Sequence, residues 1–276
     1  MSVMNLEELQ LRHLNLLKRF IIRYDFDAEA YTWREVLNFP GKLSPIKVIK
    51  HFLPSNWTVA EKQICPALEV RENGQDWPVT GESMIGLKRM NQLHSALDQI
   101  TLDSTPGDIV ETGVWRGGAV IFCASYLDTY GITDRKIFAC DSFMGLPTPD
   151  ERYPADVGDT HFTFDVLKVS IQDVSRNLEK YGVNTKNVIL VKGWFEDTLP
   201  RLETECISIL RLDGDMYSST IQALEALYQK VAKGGFVIID DYSLEGARKA
   251  VQDFFGSDKM PKIQNIDDSS AFFRKV

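Results

Sequence analysis

Cysteine is scarce in this chain, and none of the four (Cys65, Cys123, Cys140 and Cys206) stands in a CxxC spacing. That argues for buried thiols over disulfides or zinc ligands, and for a reducing compartment, the cytoplasm. No apolar run approaches the roughly 20 residues of a membrane helix. Residues 1–8 show neither the basic start nor the apolar stretch of a secretion signal, so no membrane association is expected. Basic charge is outnumbered, with 31 Lys and Arg against 39 Asp and Glu and a net charge of −8. A nucleic-acid backbone is therefore a poor partner, whereas a cationic ligand or a divalent metal suits the balance. Internal repeats and low-complexity tracts are missing. So is the GxGxxG turn that seats a dinucleotide pyrophosphate on a helix N-terminus.

What is present is regular alternation. Leu and Ile recur at helical spacing over about 6–24, which predicts an amphipathic helix. Residues 25–78 are broken by Pro40, Pro45, Pro54, Pro66 and Pro78 and read as irregular. A helix over 84–100 then leads into strands expected at 108–112, 136–141, 187–192, 207–212, 235–240, 262–265 and 271–275. Helical patterns at 119–129, 167–181 and 220–231 separate early members of this series. Alternating β and α elements imply an α/β fold: a parallel sheet covered on both faces, with right-handed crossovers. The last two strands are too close for a helix between them, so they form a hairpin and one strand runs antiparallel. Residues 1–80 are expected to form a lid or dimerisation arm, and 81–276 the main domain.

Ligands of such a sheet gather at the carboxyl ends of its strands, where several carboxylates fall. Asp213 follows the run Ile207 to Leu212, and the pair Asp240–Asp241 follows Phe236 to Ile239. One such Asp would be a helix cap. Three converging there repel one another unless a cation lies between them, with Asp215 as a spare carboxylate. The first strand ends in Glu111-Thr-Gly-Val-Trp-Arg-Gly-Gly118. Its glycines permit close approach of a ligand, and Glu111 would repel a pyrophosphate but suits the α-ammonium of S-adenosylmethionine. Asp141 ends the second strand, where an acidic side chain accepts hydrogen bonds from ribose hydroxyls; that supports a nucleoside without choosing between NAD and S-adenosylmethionine. Phe143 suits stacking on an adenine and core packing equally. Gly193, Trp194, Phe195 and Asp197 follow the third strand, where an adenine would be enclosed, the rings supplying faces and Asp197 an acceptor.

Taken together, Ser83-Met-Ile-Gly-Leu87, residues 111–118, Asp141-Ser-Phe143, Gly-Leu-Pro147, Tyr153-Pro-Ala155, Gly193-Trp-Phe195, Leu210-Arg-Leu-Asp-Gly-Asp-Met-Tyr217 and residues 234–242 resemble the TylF-type O-methyltransferases. That family methylates sugar hydroxyls on antibiotics such as macrolides and aminocoumarins. The resemblance covers about Ser83 to Val276; the first eighty or so residues match poorly. It implies a class I methyltransferase, Rossmann-like seven-stranded mixed sheet with one antiparallel strand and an N-terminal helical lid or arm. It also implies magnesium on Asp213, Asp240 and Asp241, and Asp215 as the general base, with Asp213 beside it in the chemistry. The cofactor contacts expected are Met84, Glu111, Thr112, Gly113, Arg116, Gly117, Asp141, Ser142, Phe143, Gly193, Trp194, Phe195, Asp197 and Asp213.

The chemistry fits those residue types. A sugar hydroxyl has a pKa far above neutrality, on the order of water's 15.7, so a cation and a nearby carboxylate are needed to release its proton. His94, on an apparent helix, reads as structural; His161 in a loop after Asp159 is the alternative base. The expected function is a magnesium-dependent O-methyltransferase acting on a sugar hydroxyl of a glycosylated small-molecule acceptor. A catechol- or phenol-type O-methyltransferase is the alternative, and a nucleotide-sugar oxidoreductase a more distant one. Trp33, Phe39, Phe52, Trp57 and Trp77 suit either an apolar aglycone or a homodimer interface, and a homodimer is expected.

Overall fold

The computed structural model describes residues 5–26, 28–32 and 60–276. Trp33, Phe39, Phe52 and Trp57 lie outside the described residues. The chain begins with α1 (Leu6–Ile21), whose cap Asn5 accepts the Glu8 N–H at 2.8 Å. Strands β1 (Ala28–Thr32) and β2 (Ala60–Ile64) pair antiparallel, Ala28 opposite Ile64. The short α2 (Leu68–Glu72) and the long α3 (Gly86–Leu102) follow. The remaining order is β3 (Asp108–Thr112), α4 (Gly118–Thr129), β4 (Ile137–Asp141), α5 (Ile171–Lys180), β5 (Val188–Lys192), the one-turn α6 (Phe195–Thr198), β6 (Ile207–Leu212), α7 (Tyr217–Leu227), β7 (Val231–Ile239), α8 (Glu245–Phe255), β8 (Gln264–Asn265) and β9 (Ala271–Arg274).

The main sheet has seven strands in the order β5-β4-β3-β6-β7-β9-β8. The first five run parallel, and β9 is antiparallel to both its neighbours, as the short link before it required. Two apolar layers cover the sheet. On one face Ile109, Ile209 and Ile238 meet Leu93 and Leu97 of α3, Ile121 and Phe122 of α4, and Leu14 and Ile21 of α1. On the other, Val110, Leu210, Leu212 and Val237 meet Ala223 and Leu224 of α7 and Val251 of α8. The period-two alternation of the strands makes this split.

Three elements differ from the sequence expectation. Helix α8 fills the interval before the final hairpin; its Ala247, Ala250 and Val251 are buried at helical spacing. The stretch read as irregular contains β1, β2 and α2. And α1 is seated in the core between α3 and α4, with Leu14 and Ile21 fully buried, so this part of residues 1–80 shares the apolar layer of the sheet domain. No helix among the described residues is long and apolar enough to cross a membrane.

Candidate active site

Register places the functional loops. Leu212 pairs with both Thr112 and Ile239, so Gly113, Asp213 and Asp240 leave the sheet side by side. The ladder runs one residue further, with Asp213 N donating to Thr112 O at 2.8 Å and Asp240 N to Leu212 O at 2.8 Å. Approach here is so close that a Cβ on Gly113 (φ +88°) would lie 1.6 Å from Asp213 O. Only glycine fits. These loops open into a cavity of about 710 Å³, lined among others by Met84, Glu111, Gly113, Asp141, Ser142, Gly193, Trp194 and Phe195, and by Asp213, Asp215, Asp240 and Asp241.

Asp141 joins two of these turns. Its Oδ2 accepts the Val114 N–H at 2.7 Å, and its Oδ1 the Phe143 N–H at 2.6 Å, stitching the turns after β3 and β4 together. Burial pushes its carboxyl up, and those backbone donors pull it back. Trp115 donates Nε1–H to Val166 O at 2.9 Å, and the Arg116 guanidinium stacks 4.2 Å from the Trp115 ring.

Five expected cofactor contacts do not form the cavity wall. Phe143 adopts φ +53° and turns its ring into the apolar core, where it is 5% exposed. Arg116 points away and donates to the carbonyls of Pro78, Val79 and Gly81. Gly117 caps α4 at φ +89°. Thr112 is buried within β3, its hydroxyl on Arg211 O at 3.4 Å. Asp197 is exposed on α6, and its neighbour Glu196 lines the cavity instead. Trp77 does line the cavity, edge-on to Phe164 at 6.1 Å.

The acidic centre holds two residues that the sequence reading passed over. Arg211, within β6, lies on the same face as Asp213 and pairs in register with Glu111. Its Nη1 reaches Glu111 Oε1 at 2.6 Å and Asp213 Oδ2 at 2.7 Å, and its Nη2 reaches Asp240 Oδ1 at 2.5 Å. Arg89 of α3 covers the other Asp240 oxygen at 2.6 Å and is anchored on Asp267 at 2.7 Å. A buried Arg inside an apolar run was the available signal, since such a charge must find partners.

Charge then sorts the carboxyls. Burial favours a neutral Asp240, but Arg211 and Arg89 outweigh it and hold the group below the usual range. Burial, against the pull of Arg211, pushes Glu111 up to about 8. Among the described residues no arginine pairs with Asp241; burial and then the charges of Asp215, Asp213 and Asp240 drive it well up. Asp215 is raised to about 7 by burial and by Asp213. It sits at φ +58° and donates its N–H to Asp241 Oδ2 at 3.0 Å.

Among the described residues, Asp213, Asp240 and Asp241 form the one set placed to hold a metal, with an oxygen of each within 4.8 Å of the others. An all-oxygen set whose third member is repelled by its neighbours fits a hard divalent cation. His161 also lines the cavity, its Nδ1 2.8 Å from Asp159 Oδ2. His94 lies away in the core, 5% exposed and edge-on to Phe122 and Tyr126.

Comparison with known proteins identifies the family. Residues 10–275 match the macrocin-O-methyltransferase (TylF) family. The chain is 41% identical over 212 residues to the 8-demethyl-8-(2,3-dimethoxy-alpha-L-rhamnosyl)-tetracenomycin-C 4'-O-methyltransferase of Streptomyces olivaceus, covering 76% of this chain and 81% of that one. It is 37% identical over 212 residues to the mycinamicin III 3''-O-methyltransferase of Micromonospora griseorubida, covering 75% and 84%. The structure of the O-methyltransferase NovP superposes with a TM-score of 0.80 at 31% identity, covering 97% of this chain and 99% of NovP. A sheet with one antiparallel strand, a carboxylate-rich carboxyl edge and a family match over nearly the whole chain lead to one conclusion: the protein belongs to the TylF family and is an O-methyltransferase of the S-adenosylmethionine-dependent class I fold.

Proposed function

We propose that the protein is a magnesium-dependent O-methyltransferase that methylates a sugar hydroxyl of a glycosylated small molecule. The observation that carries this is the shared cavity, which the Asp213, Asp240 and Asp241 cluster and Asp215 line together with Asp141 and Ser142. The relatives support the acceptor class, because both are named for methylating a hydroxyl of a glycosylated metabolite. Their hydroxyl positions differ at similar identity, so the similarity speaks for a sugar and not for a position.

Each residue group has a task. Asp141 would hold the ribose, and Glu111, kept in place by Arg211, would accept a hydrogen bond from the α-ammonium. Asp213, Asp240 and Asp241 would hold the cation. When bound, S-adenosylmethionine supplies an electrophilic methyl group and magnesium favours the ionised acceptor hydroxyl. Asp215 receives the hydroxyl proton at its carboxylate, and burial raises its proton affinity for that task. The apolar ring of Trp77 at the wall suits an aglycone. The expected homodimer is supported by exposed Leu6, Leu9, Leu16 and Phe20 on α1, and sedimentation measures it.

The test is a methylation screen of glycosylated metabolites read by mass spectrometry, with and without chelator. Turnover should vanish in excess chelator and return with magnesium. Asp215→Asn should lower kcat by roughly 10²–10⁴ while calorimetry shows unchanged S-adenosylmethionine binding. Full turnover under chelation would remove the cation from the reading. If His161→Ala gives the loss that Asp215→Asn does not, His161 is the base.

A further inference from the structure

Helix α7 starts immediately after the loop that carries Asp213 and Asp215, and its N-cap is Met216, which makes no side-chain cap hydrogen bond. The first N–H groups of a helix have no partners within it and need an acceptor from elsewhere. Asp156 supplies one. Its Oδ1 accepts the Tyr217 N–H at 2.7 Å and its Oδ2 the Ser218 N–H at 2.9 Å. Asp156 is only 2% exposed and belongs to the turn Pro154–Asp156, far back in the chain. The fit is close: a Cβ on Gly246 would come within 3.0 Å of Tyr217 N and 3.5 Å of Asp156 Oδ1.

Two sides of the cavity meet at this cap. Upstream of Tyr217 stands Asp215 in the left-handed region, φ +58°, a conformation that persists in a non-glycine residue only when its surroundings hold it. The Asp215 N–H is held by Asp241, and the N–H groups two and three residues later by Asp156. On the other side, the turn that bears Asp156 also bears Tyr153, whose hydroxyl accepts from Gln222 Nε2 of α7 at 3.1 Å. Tyr153, Gln222 and His161 all line the cavity, whereas Asp156 does not.

We infer that Asp156 is a positioning residue for methyl transfer. By capping α7 from the loop between β4 and α5, it fixes where the Asp215 carboxylate stands relative to an acceptor held against that loop. The inference rests on Asp215 being the base. It assigns Asp156 no contact with acceptor, cofactor or cation.

The experiment compares Asp156→Ala, Asp156→Asn, Asp215→Asn and the double variant Asp156→Ala/Asp215→Asn in the full chain. It measures kcat at saturating acceptor, and S-adenosylmethionine affinity by calorimetry. Asp156→Ala should lower kcat by roughly 10–100-fold, the scale of a misplaced catalytic group. Cofactor affinity should stay at the wild-type value. Asp156→Asn, which keeps one carbonyl acceptor, should fall between Asp156→Ala and wild type, and it serves if the alanine variant does not fold. The double variant should turn over no more slowly than Asp215→Asn, because no base remains to be misplaced.

A wild-type kcat in Asp156→Ala overturns the inference. So do losses that multiply in the double variant, or a cofactor affinity that falls in step with kcat, which would mark a merely structural cap. Full activity in Asp215→Asn would instead overturn the reading of the base, and this inference with it.

Discussion

Replacing Arg211 by Met keeps most of the side chain's length and removes its charge. The guanidinium contacts Glu111, Asp213 and Asp240, and both Glu111 and Asp240 are no more than 5% exposed. Removing one partner of a buried ion pair costs about 3–5 kcal/mol, because the remaining charge is uncompensated. Two features put this case at the lower end, about 3 kcal/mol. Asp240 keeps Arg89, and Glu111 escapes by taking a proton, its carboxyl already being raised to about 8. For a domain of this size each kcal/mol lowers Tm by about 2–4 °C, so the variant should melt roughly 6–12 °C below wild type near pH 7.

The sign with pH follows from proton binding. The folded Glu111 carboxyl holds its proton above its ordinary value of 4.5, so the folded state binds more protons than the unfolded one up to about 8. Its contribution is therefore lost as pH rises through that window. Without Arg211 the window extends upward, and the gap between variant and wild type should widen from pH 7 to pH 9. Thermal melts by circular dichroism at both pH values are the assay. Arg211→Lys should rescue little, since one ammonium does not span three carboxylates. A variant that melts with wild type at both values would refute the charge argument.

Two further outcomes are expected. Lys18 is buried between Asn91 Oδ1 at 2.7 Å and His94 Nδ1 at 3.0 Å, and burial lowers its pKa to about 8, partly opposed by Asp98. Its folded pKa is depressed below 10.5, so stability should rise with pH between about 8 and 10.5, on the order of 3 kcal/mol at most, and Lys18→Met should abolish that slope in denaturant titrations. Gly113→Ala would drive a methyl into the Asp213 carbonyl from φ +88°, so calorimetry should show cofactor binding lost, with left-handed strain alone costing about 1–3 kcal/mol; wild-type affinity would mean that the two strand ends are free to separate.

Much of this was legible because it depends on local pattern. Apolar β-branched runs such as Ile207–Leu212 mark parallel strands that are buried on both faces, and the spacing after Asn265 left room only for a hairpin. The same reasoning put Asp213 and Asp240 at neighbouring strand ends. It failed for Phe143 and Arg116, because a left-handed turn and a backbone clamp direct those side chains away from the cavity. Helix α8 had a readable signal in its buried alanines, but the N-terminal segment did not, since its burial depends on partners far along the chain.

Periodicity, glycine placement and the acidic pairs thus determined from sequence alone the layer order, the one reversed strand and the edge at which the chemistry gathers. Only the tertiary structure decided how that edge is charged. Asp240 is held toward its ionised form and Asp241 is pushed toward its neutral form because Arg211 and Arg89 reach the first and not the second, and Arg89 arrives from a helix 151 residues away. Asp156 likewise caps a helix 61 residues ahead of it. Electrostatic balance and capping depend on distances of a few ångströms between groups remote in sequence, and those distances exist only once the chain has packed.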